Sequence, residues 1–183
     1  MKKQTPNNKV TLSYALWIVF WTFAISVLLS VIFMSFYSMG MALSVSLLLL
    51  FVALGIVFDI LGLAVATCSE AAFHSMATRR VKGAKESLWL IRQRDKVSNF
   101  CNDVIGDITG VVSGTTAVMI ASNLANYIPV NTFILQVGLT GFVSGLMVGG
   151  KAIGKNIGIY RSREIVTVVG KMMYFIGLKK EIK

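Results

Sequence analysis

Charge is scarce in this chain. Only 14% of its 183 residues are Asp, Glu, Lys or Arg, 55% are apolar, and the mean hydropathy is +0.73. A water-soluble domain of this size needs more polar surface than that, so the soluble globular class is excluded. Histidine occurs once, as His74, and cysteine twice, as Cys68 and Cys101. Neither type stands at a metal-ligand spacing, and two thiols on the expected cytoplasmic side stay reduced, so neither a zinc site nor a disulfide is expected. There is no nucleophile–base pair, no phosphate-cradling glycine loop and no H-E-x-x-H motif. An enzyme is not expected. Low-complexity linkers and clear internal repeats are also missing, which leaves a single embedded unit.

What the chain has instead is long uncharged runs. From Val10 to Phe58, and again from Ile108 to Gly150, no residue is charged. At roughly 20 residues per spanning helix, each run suffices for two crossings. The reading is all-α: an integral membrane bundle of four transmembrane helices with amphipathic cytoplasmic surface helices. After a cytoplasmic N-terminus at 1–10, one transmembrane domain fills 11–183. Its spans are expected at about 12–36, 41–68, 98–124 and 130–150, with surface helices at about 79–95 and 160–177. The first run is too long for a signal-peptide core and lacks a clean cleavage site, so it is read as a retained span, with Tyr14 and Tyr37 as interfacial anchors.

The net charge of +10 could suggest a nucleic-acid partner, but its distribution argues otherwise. Lys2, Lys3 and Lys9 precede the first run; seven basic residues lie between Arg79 and Lys96; the rest follow Gly150. The connections near Ser38–Gly40 and Asn123–Asn131 hold none. By the positive-inside rule, all three basic groups are cytoplasmic, giving a multi-pass cell-membrane protein with both termini inside. The partner of these charges is the anionic face of the bilayer, and no nucleic acid is expected.

The helical pattern after Met41 could run to Met76, too long for the bilayer, so a bend is expected between Gly62 and Ser69. The segment Val81–Asp95 puts Val81, Ala84, Leu88 and Ile91 on one side and is read as lying along the membrane surface. Beyond Lys151 the charges recur too often for a fifth span.

Acids are the informative residues, because each ionised carboxylate near the centre of a span costs roughly 2.5–3.5 kcal/mol on insertion scales. Asp59, Glu70, Asp103 and Asp107 fall in or beside spans. At 100° per residue Asn99, Asp103, Gly106, Asp107, Gly110 and Gly114 share one helix face. On one reading the glycines admit a neighbouring helix and the aspartates are protonated or paired. On the other, two carboxylates a few Å apart hold a cation between them, and oxygen-only ligands suit a hard ion such as magnesium. A proton relay is a third use. Thr67, Ser69 and Glu70 offer further oxygens at the expected bend, although Glu70 also reads as a solvated interfacial acid. Asp59 reads equally as a structural partner or as part of an ion pathway, and His74 as an interfacial side chain. Gly138, Gly141, Gly145, Gly149 and Gly150 mark the fourth span as a packing helix, with a homodimer seam among its uses.

The order of these features resembles the transmembrane domain of the CorB/CorC and cyclin M magnesium-transport family. The resemblance rests on Val65-Ala66-Thr67-Cys68-Ser69-Glu70-Ala71-Ala72-Phe73, on Gly83-Ala84-Lys85, on Asn102-Asp103 with Asp107, and on Gly150-Lys151-Ala152-Ile153-Gly154-Lys155 followed by Arg161-Ser162-Arg163-Glu164. It covers roughly residues 50 to 175. The resemblance implies transport or binding of a divalent cation, Mg2+ or Co2+, between spans two and three. The implied ligands are Thr67 and Ser69 at the bend and Asp103 and Asp107 on the third span, with Glu70 and Asn99 beside them. The chain departs from the family pattern at Lys151, where the family has an acid, and at Gly154, where it has a proline. It also has an extra first span, and these residues hold no nucleotide-sensing CBS domains. The alternative is a non-transporting accessory or regulatory membrane protein, in which the Lys151 amine neutralises the aspartate pair.

Overall fold

The computed structural model describes residues 12–36 and 40–177. The expected N-terminal segment, the anchor Tyr37, the turn residues Ser38 and Met39, and Lys179, Lys180 and Lys183 lie outside the described residues, as does the side chain of Tyr14. The described residues are helical and contain no strand. In chain order they form α1 (Leu12–Phe36), α2 (Met41–Thr67), α3 (Ala71–Thr78), α4 (Ala84–Arg92) and α5 (Arg94–Asn99). A π-helical segment (Phe100–Ile105) leads without a break into α6 (Gly106–Leu124), followed by α7 (Thr132–Tyr160) and α8 (Ser162–Phe175).

Three helices are long and apolar enough to cross a membrane: Met41–Thr67, the continuous run Arg94–Leu124, and Thr132–Tyr160. Sequence alone explains why they are helical. Leu, Val and Ala dominate α2, proline is absent from the interiors of all three, and neither α2 nor α6 concentrates its apolar residues on one side. Many of the scattered hydroxyls do not spoil them, because they turn back on their own ladder; Thr140 of α7, whose buried Oγ1 has no partner among the described residues, is an exception. Ser46 donates to the Ala42 carbonyl at 2.9 Å, Ser113 to Thr109 at 2.7 Å and Thr116 to Val112 at 2.8 Å. With no water in the hydrocarbon, that is the nearest acceptor available.

Helices α2, α6 and α7 pack around one core of Leu48, Val52, Ala117, Ile120, Val143 and Met147. Helix α1 leans on α6. A second core forms at the basic end, where Ala64, Val65 and Cys68 meet Phe73, Leu88, Leu90, Ile91 and Val166. Here the structure shows what the apolar side of the expected first surface helix packs on. The apolar side of α4 is covered by protein, with Leu88 and Ile91 at 3% and 0% exposure, while Val81 stays outside it. The partner is α8. Ser87 is fully buried and donates to the Val166 carbonyl at 3.0 Å, and a methyl group added at Gly170 would lie 2.5 Å from the Gly83 carbonyl. Gly83 itself has φ +83°, a left-handed turn that starts α4 against the backbone of Lys171. An amphipathic pattern shows that one face is covered, but it does not say by what.

Two boundaries also move. The helix of span two ends at Thr67, Cys68 is extended, and α3 starts at Ala71, so the interruption falls at the end of the window expected for a bend. Helix α7 runs on to Tyr160, past the expected end of the fourth span near Gly150. Lys151 does not end it, because its charge is met inside the bundle.

Candidate functional site

At 1.5 Å per residue, Asp59 lies about 27 Å from the start of α2, Lys151 about 28 Å from the start of α7, and Asp107 about 26 Å from the end of α6. These groups share one layer of the bundle, toward its basic end. The structure divides that layer into two clusters facing different ways.

The inner cluster joins α2, the π segment and α7. Lys151 Nζ lies 3.8 Å from Asp59 Oδ1, with the two side chains 24% and 13% exposed. The amine also rests on Gly106, where an added Cβ would lie 3.2 Å from it. Asn102 donates through Nδ2 to Ser98 Oγ at 3.4 Å, while its Oδ1 is buried with no hydrogen-bond partner and packs on Gly62. Gly62 therefore does not loosen α2. It provides the flat place that lets an amide side chain reach the helix axis.

The outer cluster lies between α1 and α6. Asp103 and Asp107, both exposed, line a groove of about 630 Å³ together with Thr22, Ser26 and Ser30 of α1. Among the described residues neither carboxylate has an ion pair or a hydrogen bond. The two aspartates expected to act together do share one space. Their neighbours differ from the expected ones: Thr67, Ser69, Glu70 and Asn99 are not among the groove residues. Thr67 spends its hydroxyl on the Leu63 carbonyl at 2.9 Å, Glu70 faces His74 at 3.4 Å, and Ser69 and Asn99 are exposed. Lys151 pairs with Asp59 and not with Asp103 or Asp107.

The π segment explains the division. An i→i+5 ladder turns each residue by roughly 80° instead of 100°, so groups four apart stay aligned while groups three apart separate. Asn102 and Gly106 face α2 and α7, and Asp103 and Asp107 face α1. The single face expected for Asn99, Asp103, Gly106 and Asp107 assumed an uninterrupted α-helix and is corrected accordingly. In the sequence the hydroxyls of α1 read only as scattered serines, yet their spacing carried a signal. Thr22, Ser26 and Ser30 recur every fourth residue in a helix whose other hydroxyls, Ser13, Tyr14 and Ser35, lie near its ends.

Chemically, the groove offers two carboxylates and three hydroxyls, all hard oxygen donors. Among the described residues no three His, Cys, Asp or Glu side chains come close enough to hold a metal by themselves. Magnesium does not need three, since it usually keeps several waters and is held through one or two carboxylates. Outside the spans, burial raises the Cys68 thiol above the ordinary range for cysteine, with only partial opposition from Ser162 and from the Ser69 backbone. The thiol stays protonated and inert, as expected for a core residue.

On α7 the glycines divide as well. Gly150, Gly154 and Gly158 are filled by Ile56, Ile60 and Leu63 of α2, whereas a Cβ at Gly138, Gly141, Gly145 or Gly149 would meet nothing within 4 Å. In comparisons with family models, curated proteins and solved structures, nothing matches this chain.

Proposed function

We propose that this chain is a four-span membrane protein, with α1 as the first span and both termini cytoplasmic, that binds and moves a hydrated divalent cation of the magnesium class. The cation's seat is the groove between α1 and α6. One observation carries this reading: Asp103 and Asp107 share that groove with Thr22, Ser26 and Ser30, while the Lys151 amine is engaged by Asp59. Two carboxylates left without a partner at a membrane boundary are costly, and a bound cation offsets that cost. The resemblance to the CorB/CorC and cyclin M family supports the same class of cargo, Mg2+ with Co2+ as a second candidate. Its bend residues Thr67 and Ser69 then serve the passage and not the seat. The outward glycines of α7 support a homodimer, since a strip of absent side chains lets a second helix approach closely.

Thermal unfolding of the full chain in micelles tests the site. A magnesium concentration about 100 times Kd stabilises the native state by about 2.7 kcal/mol. The pair Asp103→Asn and Asp107→Asn abolishes that response, and Asp59→Asn with Lys151→Met retains it. A wild-type melting point indifferent to magnesium, calcium and cobalt refutes the cation site. Growth of a magnesium-uptake-deficient host carrying the chain then separates transport from binding alone.

A further inference from the structure

The basic end of the bundle holds a second surface, which does not depend on the cation site. Helix α8 is apolar on two sides. Val166 and Gly170 face α4 and are buried, while Val168, Met172, Phe175 and Ile176 face outward at 56%, 58%, 77% and 72% exposure. These four residues recur at three- and four-residue spacing, so they form one stripe. Such a stripe on an ordinary water-facing helix would be a liability.

Depth shows what covers it. Val166 packs on Ala64 and Val65 in the last turns of α2. Those residues stand about 35 Å from the start of α2, just beyond a hydrocarbon core of roughly 30 Å. The middle of α8 therefore lies in the headgroup layer, with its outer stripe turned away from the protein at the depth where acyl chains begin. Charge shows which headgroups. Lys155, Arg161, Arg163 and Lys171 are exposed on the end of α7 and on α8, with Glu164 the one acid among them. We infer that the outer face of α8 is a binding surface for anionic phospholipid. Phe175, Ile176, Met172 and Val168 enter the acyl boundary, and the phosphates are held by Arg161 and Lys171. An amphipathic helix flanked by cations binds this way, each Lys or Arg adding to the preference for anionic lipid.

The test uses the full chain in vesicles of phosphatidylcholine containing phosphatidylglycerol, with Met172→Trp as a reporter and Phe175→Trp as an independent second. Brominated phosphatidylglycerol and brominated phosphatidylcholine are compared as quenchers against the same vesicles with the unaltered chain. The introduced indole is expected to prefer phosphatidylglycerol by about threefold or more, falling to about one when Arg161→Gln and Lys171→Gln are added. Equal quenching by the two lipids in the otherwise unaltered reporter overturns the headgroup preference. Quenching by aqueous acrylamide with none by either lipid means that the stripe faces water. Shielding from lipid and acrylamide alike means that a second copy covers it. Either result overturns the proposal.

Discussion

Replacing Lys151 tests the division of the charged layer most directly. The pair is long, at 3.8 Å, and incompletely buried, with Asp59 13% and Lys151 24% exposed. Breaking a fully buried pair by removing one partner costs about 3–5 kcal/mol, because the remaining charge is left without compensation. Allowing for the remaining exposure, Lys151→Met should cost about 2–3 kcal/mol, enough to change the folded-to-unfolded ratio at least thirtyfold. Asp59→Leu should cost less, about 1–2 kcal/mol, since a lysine near the basic boundary can extend its amine toward the headgroups. Removing both charges at once should bring stability back to within about 1 kcal/mol of the parent. The assay is equilibrium unfolding in mixed micelles, read as a double-mutant cycle. Strict additivity of the two single losses would refute the pairing. A similar coupling of Lys151 with Asp103 or Asp107 would show that the amine sits in the outer groove after all.

Other consequences follow from the basic-end core. Gly170→Ala places a methyl group 2.5 Å from the Gly83 carbonyl and 3.0 Å from the Ser87 amide, both backbone, so neither side can yield easily. A loss of about 3 kcal/mol or more is expected from overpacking, together with disruption of the Ser87–Val166 bond. Gly149→Ala, with nothing within 4 Å, should leave monomer stability unchanged or raise it by up to about 1 kcal/mol, and any loss confined to high protein concentration would report the homodimer seam. Both are read by chemical denaturation over a range of protein-to-detergent ratios. Cys68 gives a pH prediction. Its folded thiol is raised by burial, so the unfolded chain ionises first as pH rises. The contribution of Cys68 to stability is therefore intact below the ordinary thiol range and declines above it. Cys68→Ala should flatten that alkaline decline, and maleimide should label Cys68 only at the rate of unfolding.

Much of the architecture could be read directly from the residues. Long uncharged runs point to long apolar helices, because only a helix satisfies its own backbone without water, and three helices of the structure are long and apolar enough to cross a bilayer. The clustering of Lys and Arg marks one end of the bundle, and the four-residue spacing of Asp103 and Asp107 guarantees that they point the same way. These properties are local in sequence, set by composition and helical period. Which neighbour each group meets is not local. The pairing of Lys151 with Asp59 joins residues far apart in the chain, and it keeps α7 helical past a charge that otherwise looks like an end. The cover over α4 comes from α8, whose Gly170 permits contact only because Gly83 turns left-handed opposite it. The π segment has no sequence signature of its own, yet its wider turn moves Asp103, on the side of α1, further round the helix from Gly106, which faces Lys151. Sequence determined which groups this layer of the bundle contains. Packing decided which of them neutralise one another and which face an open groove, because side-chain pairing depends on helix rotation and on distances that only the assembled bundle sets.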